Sequence, residues 1–483
     1  MSGSGKRDHR MRCAAAFPAV EDMKAADNAG EQGDWRIPRR KWSGAAIIAL
    51  LMIGLSLMGG CMDGPSNDKT ASSLVIAVNS EIAYDSDYRD YLEAAFPDLK
   101  FRLVEMKIEP AKEMTGQLKQ FMQREQPDLI IGVFGYYVSL ANSGLLENLS
   151  VRLKGSGISA DDFQPGVIER LKQTADGELY GLAGEFDAPV LVYNEDLFAK
   201  YAVELPHNDM TLPEIFELAN SFARAGSAGD GVVGFHQSLS SMPADQLNNL
   251  ALSEGIQAYN LDKGKMTIDT PSWKIVFQTV VDMYRAGTLM MQDVKTDRIG
   301  AMEVYGPEAV AEADLFKQAK SAMTLADHGQ YAQTGFRTGE ATPPVTSSDR
   351  SRTYHIYVPN IMSIRSGSPN ADEAWEVIRF MNSDHMAKVR ANLKDDGFSS
   401  LKTYQQYDRE PVVDELYELH SVPLPTDVPP MSLDVEMKFF NQLAELENRE
   451  ITAVVKKEKT LDAAIQVMQK EGQFLLNAAM RAE

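Results

Sequence analysis

The sequence predicts an α/β chain folded as two lobes, and three observations carry that expectation. From Leu74 onward, apolar runs of strand length alternate with amphipathic stretches. That alternation is the mark of βαβ units building a parallel sheet covered on both faces. The run from Cys61 to Glu483 is too long for one small core and suits two. No cysteine follows Cys61, so disulfides and thiolate metal sites are excluded there and burial must supply the stability. Apolar residues make up 44% of the chain, enough for that task.

Taken in order, Leu74–Asn79 reads as a buried strand and Asp87–Phe96 as a short amphipathic helix. Phe101–Glu105 is the next strand, Ala111–Gln123 the next helix, and Asp128–Val133 a third strand. The helix that follows ends at Gly144, where a positive φ is wanted. Tyr193-Asn194 closes a strand and turns into a helix carrying Leu197 and Phe198. From about Pro189 to Thr353 helix predominates. Trp273, Val276, Phe277, Val280, Val281 and Tyr284 share one helical face between Pro271 and Gly287. Gly335–Arg352, rich in Thr, Ser and Pro, reads as a surface loop. A strand is expected within Tyr354–Ile364. Asn370 is expected to cap a helix that buries Ala371, Ala374, Trp375, Ile378 and Met381. The remainder, from Asp414, is helical apart from the proline-rich Val422–Met431.

Upstream of the folded part, Arg36, Arg39, Arg40 and Lys41 precede the apolar run Ala45–Gly60. A basic flank, a short apolar core and small residues before a cut describe an export signal. The run is shorter than the roughly 20 residues of a membrane span. It ends Leu57-Met58-Gly59-Gly60-Cys61, which resembles a bacterial lipoprotein signal, with Met58 where such signals usually carry Leu. The resemblance implies a diacylglyceryl group on the Cys61 thiol, cleavage after Gly60, and an anchor in the membrane without a span. Residues 1–60 are then an N-terminal extension and signal peptide, and 61–73 a lipidated tether. Met1–Trp35 lengthens the region before the signal beyond what is usual, which a start at Met23 would explain. The formal net charge of −21 argues against nucleic acid or anionic lipid as a partner.

Several segments resemble family 1 extracellular solute-binding proteins of ABC importers, the group that contains maltose-binding protein. They are Pro127-Asp128-Leu129-Ile130-Ile131 with Leu140–Leu146, Leu179–Ala183 leading into Val192–Phe198, Phe316–Thr324, and Ser368–Glu376. Leu401-Lys402 with Pro430-Met431-Ser432 adds a weaker fifth. They occur in the family's order. The resemblance implies a two-lobe periplasmic-binding-protein-like fold of type II with a solute cleft between the lobes. Lobe 1 would comprise 74–186 plus 359–410, and lobe 2 would comprise 187–358 plus 411–483. The chain would cross near Glu185–Ala188, Tyr357–Pro359 and Arg409–Pro411. It further implies a monomer on the outer face of the membrane, binding a small solute, a carbohydrate or oligosaccharide by family habit, with ABC permease subunits as partners and no cofactor.

Ligands of open α/β sheets bind at the carboxyl ends of strands. That rule selects Asn79 and Glu81, then Phe134, Tyr136 and Tyr137, and then His236 and Gln237. The resemblance adds the crossover residues Glu185, Phe186 and Asp187, the group His328, Gln330 and Tyr331, and Asp434. Tyrosine faces would stack on a sugar ring while the polar groups meet its hydroxyls. The histidines read as hydrogen-bonding groups, and no metal is expected. Trp273 and Trp375 sit on core faces. The chain carries no G-x-S-x-G, H-E-x-x-H or G-x-x-x-x-G-K-[ST] motif, so a binding protein is expected and not an enzyme. Transport and presentation of solute to a sensor or adhesion partner look alike in sequence.

Overall fold

A computed structural model describes residues 73–109, 112–174, 176–237, 242–261, 263–292, 297–299, 302–304, 306–393, 397–407, 409–423 and 433–482. Cys61 and most of the proline-rich segment lie outside the described residues.

Two mixed sheets organise the fold. The first has five strands in the order Lys100–Glu105, Ser73–Val78, Leu129–Gly132, Ile361–Ile364 and Gly181–Leu182. Ile76, Ala77 and Val78 pair in parallel with Leu129, Ile130 and Ile131. The second has four strands in the order Thr338–Ala341, Val190–Asn194, Ser321–Ala326 and Val233–Phe235.

The expectation of purely parallel sheets is corrected. Ile361–Ile364 runs antiparallel to both of its neighbours, and in the second sheet only Ser321–Ala326 and Val233–Phe235 are parallel. The reason lies in the connection. Ile361–Ile364 returns to the first sheet from the second, not through a local helical crossover, so it enters from the opposite end. An apolar run such as Ile361-Met362-Ser363-Ile364 carries no signal of direction.

Three local expectations also shift. Helix begins at Glu81, capped by Ser80, six residues before Asp87, and continues through a wide turn at Asp85–Arg89 to Ala95. The supposed surface loop contains the edge strand Thr338–Ala341, paired with Val190–Asn194. Its Gly339 lies under the Tyr193 ring, where a Cβ would come within 2.3 Å of ring atoms. Asn370 does not cap its helix. Its Nδ2 donates to Asp128 Oδ2 at 3.1 Å, while Ser368 Oγ donates to Oδ1 at 2.6 Å and the Val75 N–H to Oδ2 at 2.9 Å. Asp128 thereby ties two sheet strands to the start of a helix far along the chain.

The second sheet is covered by helices Leu212–Arg224, Pro271–Ala286, Leu433–Val455 and Leu461–Ala479, whose Phe216, Phe222, Trp273, Phe277, Phe439, Leu443 and Met468 share one core with Leu191 and Met323. The C-terminal helices therefore belong to the core that covers the second sheet. Thr270 caps the Pro271–Ala286 helix, and Gly287 (φ 75°) ends it as the sequence predicts.

Between the sheets the chain crosses in short paired segments. Glu185–Phe186 pairs antiparallel with Phe398–Ser399. Asp187 and Tyr357 exchange both backbone hydrogen bonds at 2.9 Å. Strands of different sheets thus begin immediately beyond a small backbone ladder made from three distant parts of the chain.

Candidate solute site

The carboxyl ends of the first sheet's parallel strands bring two expected groups to one edge. Asn79 follows Val78, and Phe134 follows the strand paired with it. The Asn79 Oδ1 is buried with no hydrogen-bond partner among the described residues. A buried orphan acceptor costs on the order of 1–3 kcal/mol unless something donates to it, so this atom is suited to a donor arriving from outside. Glu81, in the first helical turn beyond, is exposed.

Phe134 opens the helix Phe134–Asn142, half-buried, and Tyr136, two positions on, is also half-buried, with its phenol pushed up by burial. Tyr137 lies on the Phe134 side of the helix, the two ring centroids 6.4 Å apart. It is buried, its hydroxyl donates to the Leu171 carbonyl at 2.6 Å and accepts from the Tyr180 N–H at 3.2 Å. This corrects the expectation of a stacking face at Tyr137, because helical spacing sends adjacent residues to different sides and the apolar side is taken by the core.

The crossover cluster is more polar. Glu185 accepts from Asn360 Nδ2 at 3.2 Å and faces Arg390 Nε at 3.5 Å. Phe186 is corrected to a core role, fully buried between Phe398 (centroids 5.5 Å apart) and Tyr417 (5.6 Å). Asp187 is held by its backbone ladder to Tyr357. His328 joins this cluster from the second sheet: its ring lies 5.8 Å from Phe398, and its Nδ1 pairs with Glu340 Oε2 at 2.6 Å.

The rest of the expected set is scattered. Tyr331 is buried edge-on to Phe316 at 4.7 Å with its hydroxyl donated to Asp314 Oδ1, which removes it as a stacking face. Gln330 is exposed and accepts from the Asp327 N–H. His236 is buried against the Ala313 carbonyl at 3.0 Å, and burial lowers its pKa, so it packs the lobe as a neutral group. Gln237 lines a narrow space with His236, Gln246 and Tyr284 inside that lobe. The Asp434 side chain lies outside the described residues.

Two residues at the junction escaped the sequence reading. Tyr357 is 51% exposed although its backbone is fixed in the crossover ladder, so it presents an aromatic face on a rigid mount. In the preceding segment Ile356 is buried and His355 half-buried, and desolvation drives the His355 pKa down to about 4. Arg170, near the end of helix Pro165–Leu171, is 3% exposed; its Nη2 donates to the Ile356 carbonyl at 3.2 Å and its Nη1 to Gln173 Oε1 at 3.3 Å. A lone Arg in an amphipathic stretch reads as solvent-facing, and nothing local marks it otherwise.

Two lobes joined by a paired crossover, with polar groups gathered at strand ends, define a solute-binding architecture. The sequence model for bacterial extracellular solute-binding proteins matches residues 81–388, well over half the chain, and the chain belongs to that family. Among curated relatives it is similar to the sn-glycerol-3-phosphate-binding periplasmic protein UgpB of Agrobacterium fabrum, 25% identical over 174 residues. That match spans 34% of this chain and 38% of the relative. In fold it is similar to an extracellular solute-binding protein of family 1 from Alicyclobacillus acidocaldarius, with a TM-score of 0.60 at 15% identity over 84% of this chain and 98% of that one. It is also similar to the sugar-binding protein MalE of Xanthomonas citri, with a TM-score of 0.57 at 14% identity over 85% of this chain and 99% of that one. These structures are two-lobe binding proteins, and this chain shares their fold. Among the described residues, no helix is long and apolar enough to cross a membrane.

Proposed function

We propose that this protein is a lipid-anchored receptor, held at the outer face of the membrane through Cys61, that captures a carbohydrate or related polyhydroxylated solute and delivers it to an ABC importer. The observation that carries the solute class is the half-exposed Tyr357 ring on its fixed crossover backbone; a second is Asn79 Oδ1 at the end of its strand, which lacks a partner among the described residues. An aromatic face covers the C–H side of a sugar ring while orphan polar atoms take its hydroxyls. The named ligands of the relatives, a sugar in one case and glycerol 3-phosphate in the other, are both polyhydroxylated and support the same class. Lobe 1 is assigned to 74–186 plus 359–410 and lobe 2 to 187–358 plus 411–483, with solute stabilising the closed arrangement through contacts that exist only there. The protein acts as a monomer, without catalysis.

The test is thermal unfolding in the presence of sugars, oligosaccharides and polyols. A solute at about 100 times its Kd stabilises the fold by about 2.7 kcal/mol. Replacing Tyr357 by Ala should weaken binding by roughly 1–3 kcal/mol, the range for an aromatic that stacks on a flat ligand ring. A solute bound equally well by Tyr357→Ala would move the site away from the crossover.

A further inference from the structure

The imidazole of His355 is enclosed by the protein but not held by it. Its backbone N–H donates to Thr353 Oγ1 at 3.1 Å, and its ring lies 6.5 Å, centroid to centroid, from that of Tyr357, the planes at 73°. Among the described residues neither ring nitrogen has a hydrogen-bond partner. Fully buried polar groups are rarely left so, because each would forfeit its bonds to water. His355 is only half-buried. Desolvation alone nonetheless takes its pKa down to about 4, so the ring is neutral at physiological pH. A side chain so strongly desolvated that still keeps accessible surface lies in a recess, with protein on most sides and an opening on one.

The backbone that carries this ring is fixed on both sides. Thr353 pairs with Ser421, and its hydroxyl donates to the Pro344 carbonyl at 2.8 Å. Beyond His355, the Ile356 carbonyl accepts from Arg170 Nη2 at 3.2 Å, and Tyr357 is held in its ladder with Asp187. Ile356 and Val358 are buried while His355 and Tyr357 keep accessible surface. That is the period of two of an extended chain, which sends both rings to the same side of the backbone. A flat ring resting on Tyr357 therefore brings its rim to the imidazole. A neutral imidazole offers one donor and one acceptor, and a hydroxyl group can satisfy both. Ring side chains on a backbone already fixed also lose little freedom when a solute arrives.

We infer that His355 is a solute-binding residue that sets specificity, its imidazole holding a hydroxyl at the rim of the ring stacked on Tyr357. This rests on the solute-binding reading of Tyr357 above and narrows it to solutes with a free hydroxyl beside the stacked face.

Calorimetric titration with glucose, galactose, mannose, maltose, sucrose, trehalose, mannitol and sorbitol selects the tightest-binding probe. His355→Phe keeps a flat ring and removes both nitrogens, and it should weaken binding of that probe by roughly five- to tenfold, the worth of a hydrogen bond between neutral groups. His355→Asn and His355→Gln restore a donor and an acceptor at two reaches, and at least one should recover most of the loss. Because a changed residue in a recess can disturb the fold, the unsubstituted protein supplies the second measurement. In protein labelled with 15N-histidine, the imidazole resonance that is missing from His355→Gln should move on saturation with the probe. A resonance that stays put, His355→Phe binding as tightly as the parent, or all three variants weakened equally would overturn the inference and leave the Tyr357 site standing. Binding indifferent to Tyr357→Ala, or no binding by any of the eight probes, would overturn both readings.

Discussion

Glu447 is a carboxyl group with no room to ionise. It is 0% exposed, Asn248 Nδ2 donates to its Oε2 at 2.8 Å, and its Oε1 is buried without a partner among the described residues. Burial pushes its pKa up to about 8, and burial likewise raises nearby Asp245 to about 6. Both groups hold their protons more tightly folded than unfolded, so the folded state carries the excess protons between about pH 4.5 and 8. Stability from this site is then present below the unfolded pKa and declines as pH rises through that window. Glu447→Gln keeps the shape and removes the titration. Its unfolding free energy should exceed that of the parent by on the order of 2 kcal/mol at pH 8, and the gap should close near pH 5. A gap independent of pH would assign the gain to packing alone. At this scale the sequence was least legible. Tyr136, Tyr137 and Tyr331 are equal candidates on paper, and only the three-dimensional neighbours decide that the last two are buried and the first is half-buried. Asn370 looked like a cap because capping is local; its partner Asp128 is 242 positions away.

At the scale of elements, legibility followed the length of the periodic signal. The Pro271–Ala286 helix was readable from six apolar positions on one face, a proline at its start and a glycine just past its end, and all six are buried. Thr338–Ala341 was not, because a short polar edge strand has the composition of a loop and is recognised by its pairing with Val190–Asn194. Strand direction was equally hidden. One element makes a sharp demand that its sequence does not advertise. Strand Val233–Phe235 touches helix Leu212–Arg224 so closely that a Cβ on Gly234 would lie 2.2 Å from the Ala219 carbonyl oxygen. Backbone cannot step aside as a side chain can. Gly234→Ala should therefore destabilise by about 1–3 kcal/mol or more, the usual range for overpacking, read as a lower denaturant midpoint at unchanged slope. A neutral effect would mean that helix and strand are not in contact in solution.

For the whole molecule, the family and its two-lobe fold were legible because the ordered segments that identify it are scaffold, spread from Pro127 to Glu376. The site was less so, since scaffold is shared while solute contacts differ from member to member. The crossover ladder of Glu185–Phe186, Phe398–Ser399 and the Asp187–Tyr357 pair is short, and short ladders bend where sheets do not. Binding of the solute should thus reduce the radius of gyration in solution scattering while the far-ultraviolet dichroism stays constant. Loss of helix signal on binding, or an unchanged scattering curve at saturation, would count against closure by rigid bodies.

The place of Ile361–Ile364 in the first sheet has a consequence for how the protein is made. This strand lies between Leu129–Gly132 and Gly181–Leu182, so an interior strand of the sheet is the last part of it to be synthesised. Until residue 364 has left the ribosome, both neighbours present bare backbone edges, and pairing across so great a separation along the chain is slow. The nascent first lobe therefore stays open for most of its synthesis. For a chain exported as proposed above, that delay is an advantage, because a lobe that closed early would have to be unfolded before it could be threaded through a membrane channel. The same delay exposes unpaired strands to neighbouring chains, so holding the chain apart until its last third arrives becomes a requirement of its biogenesis.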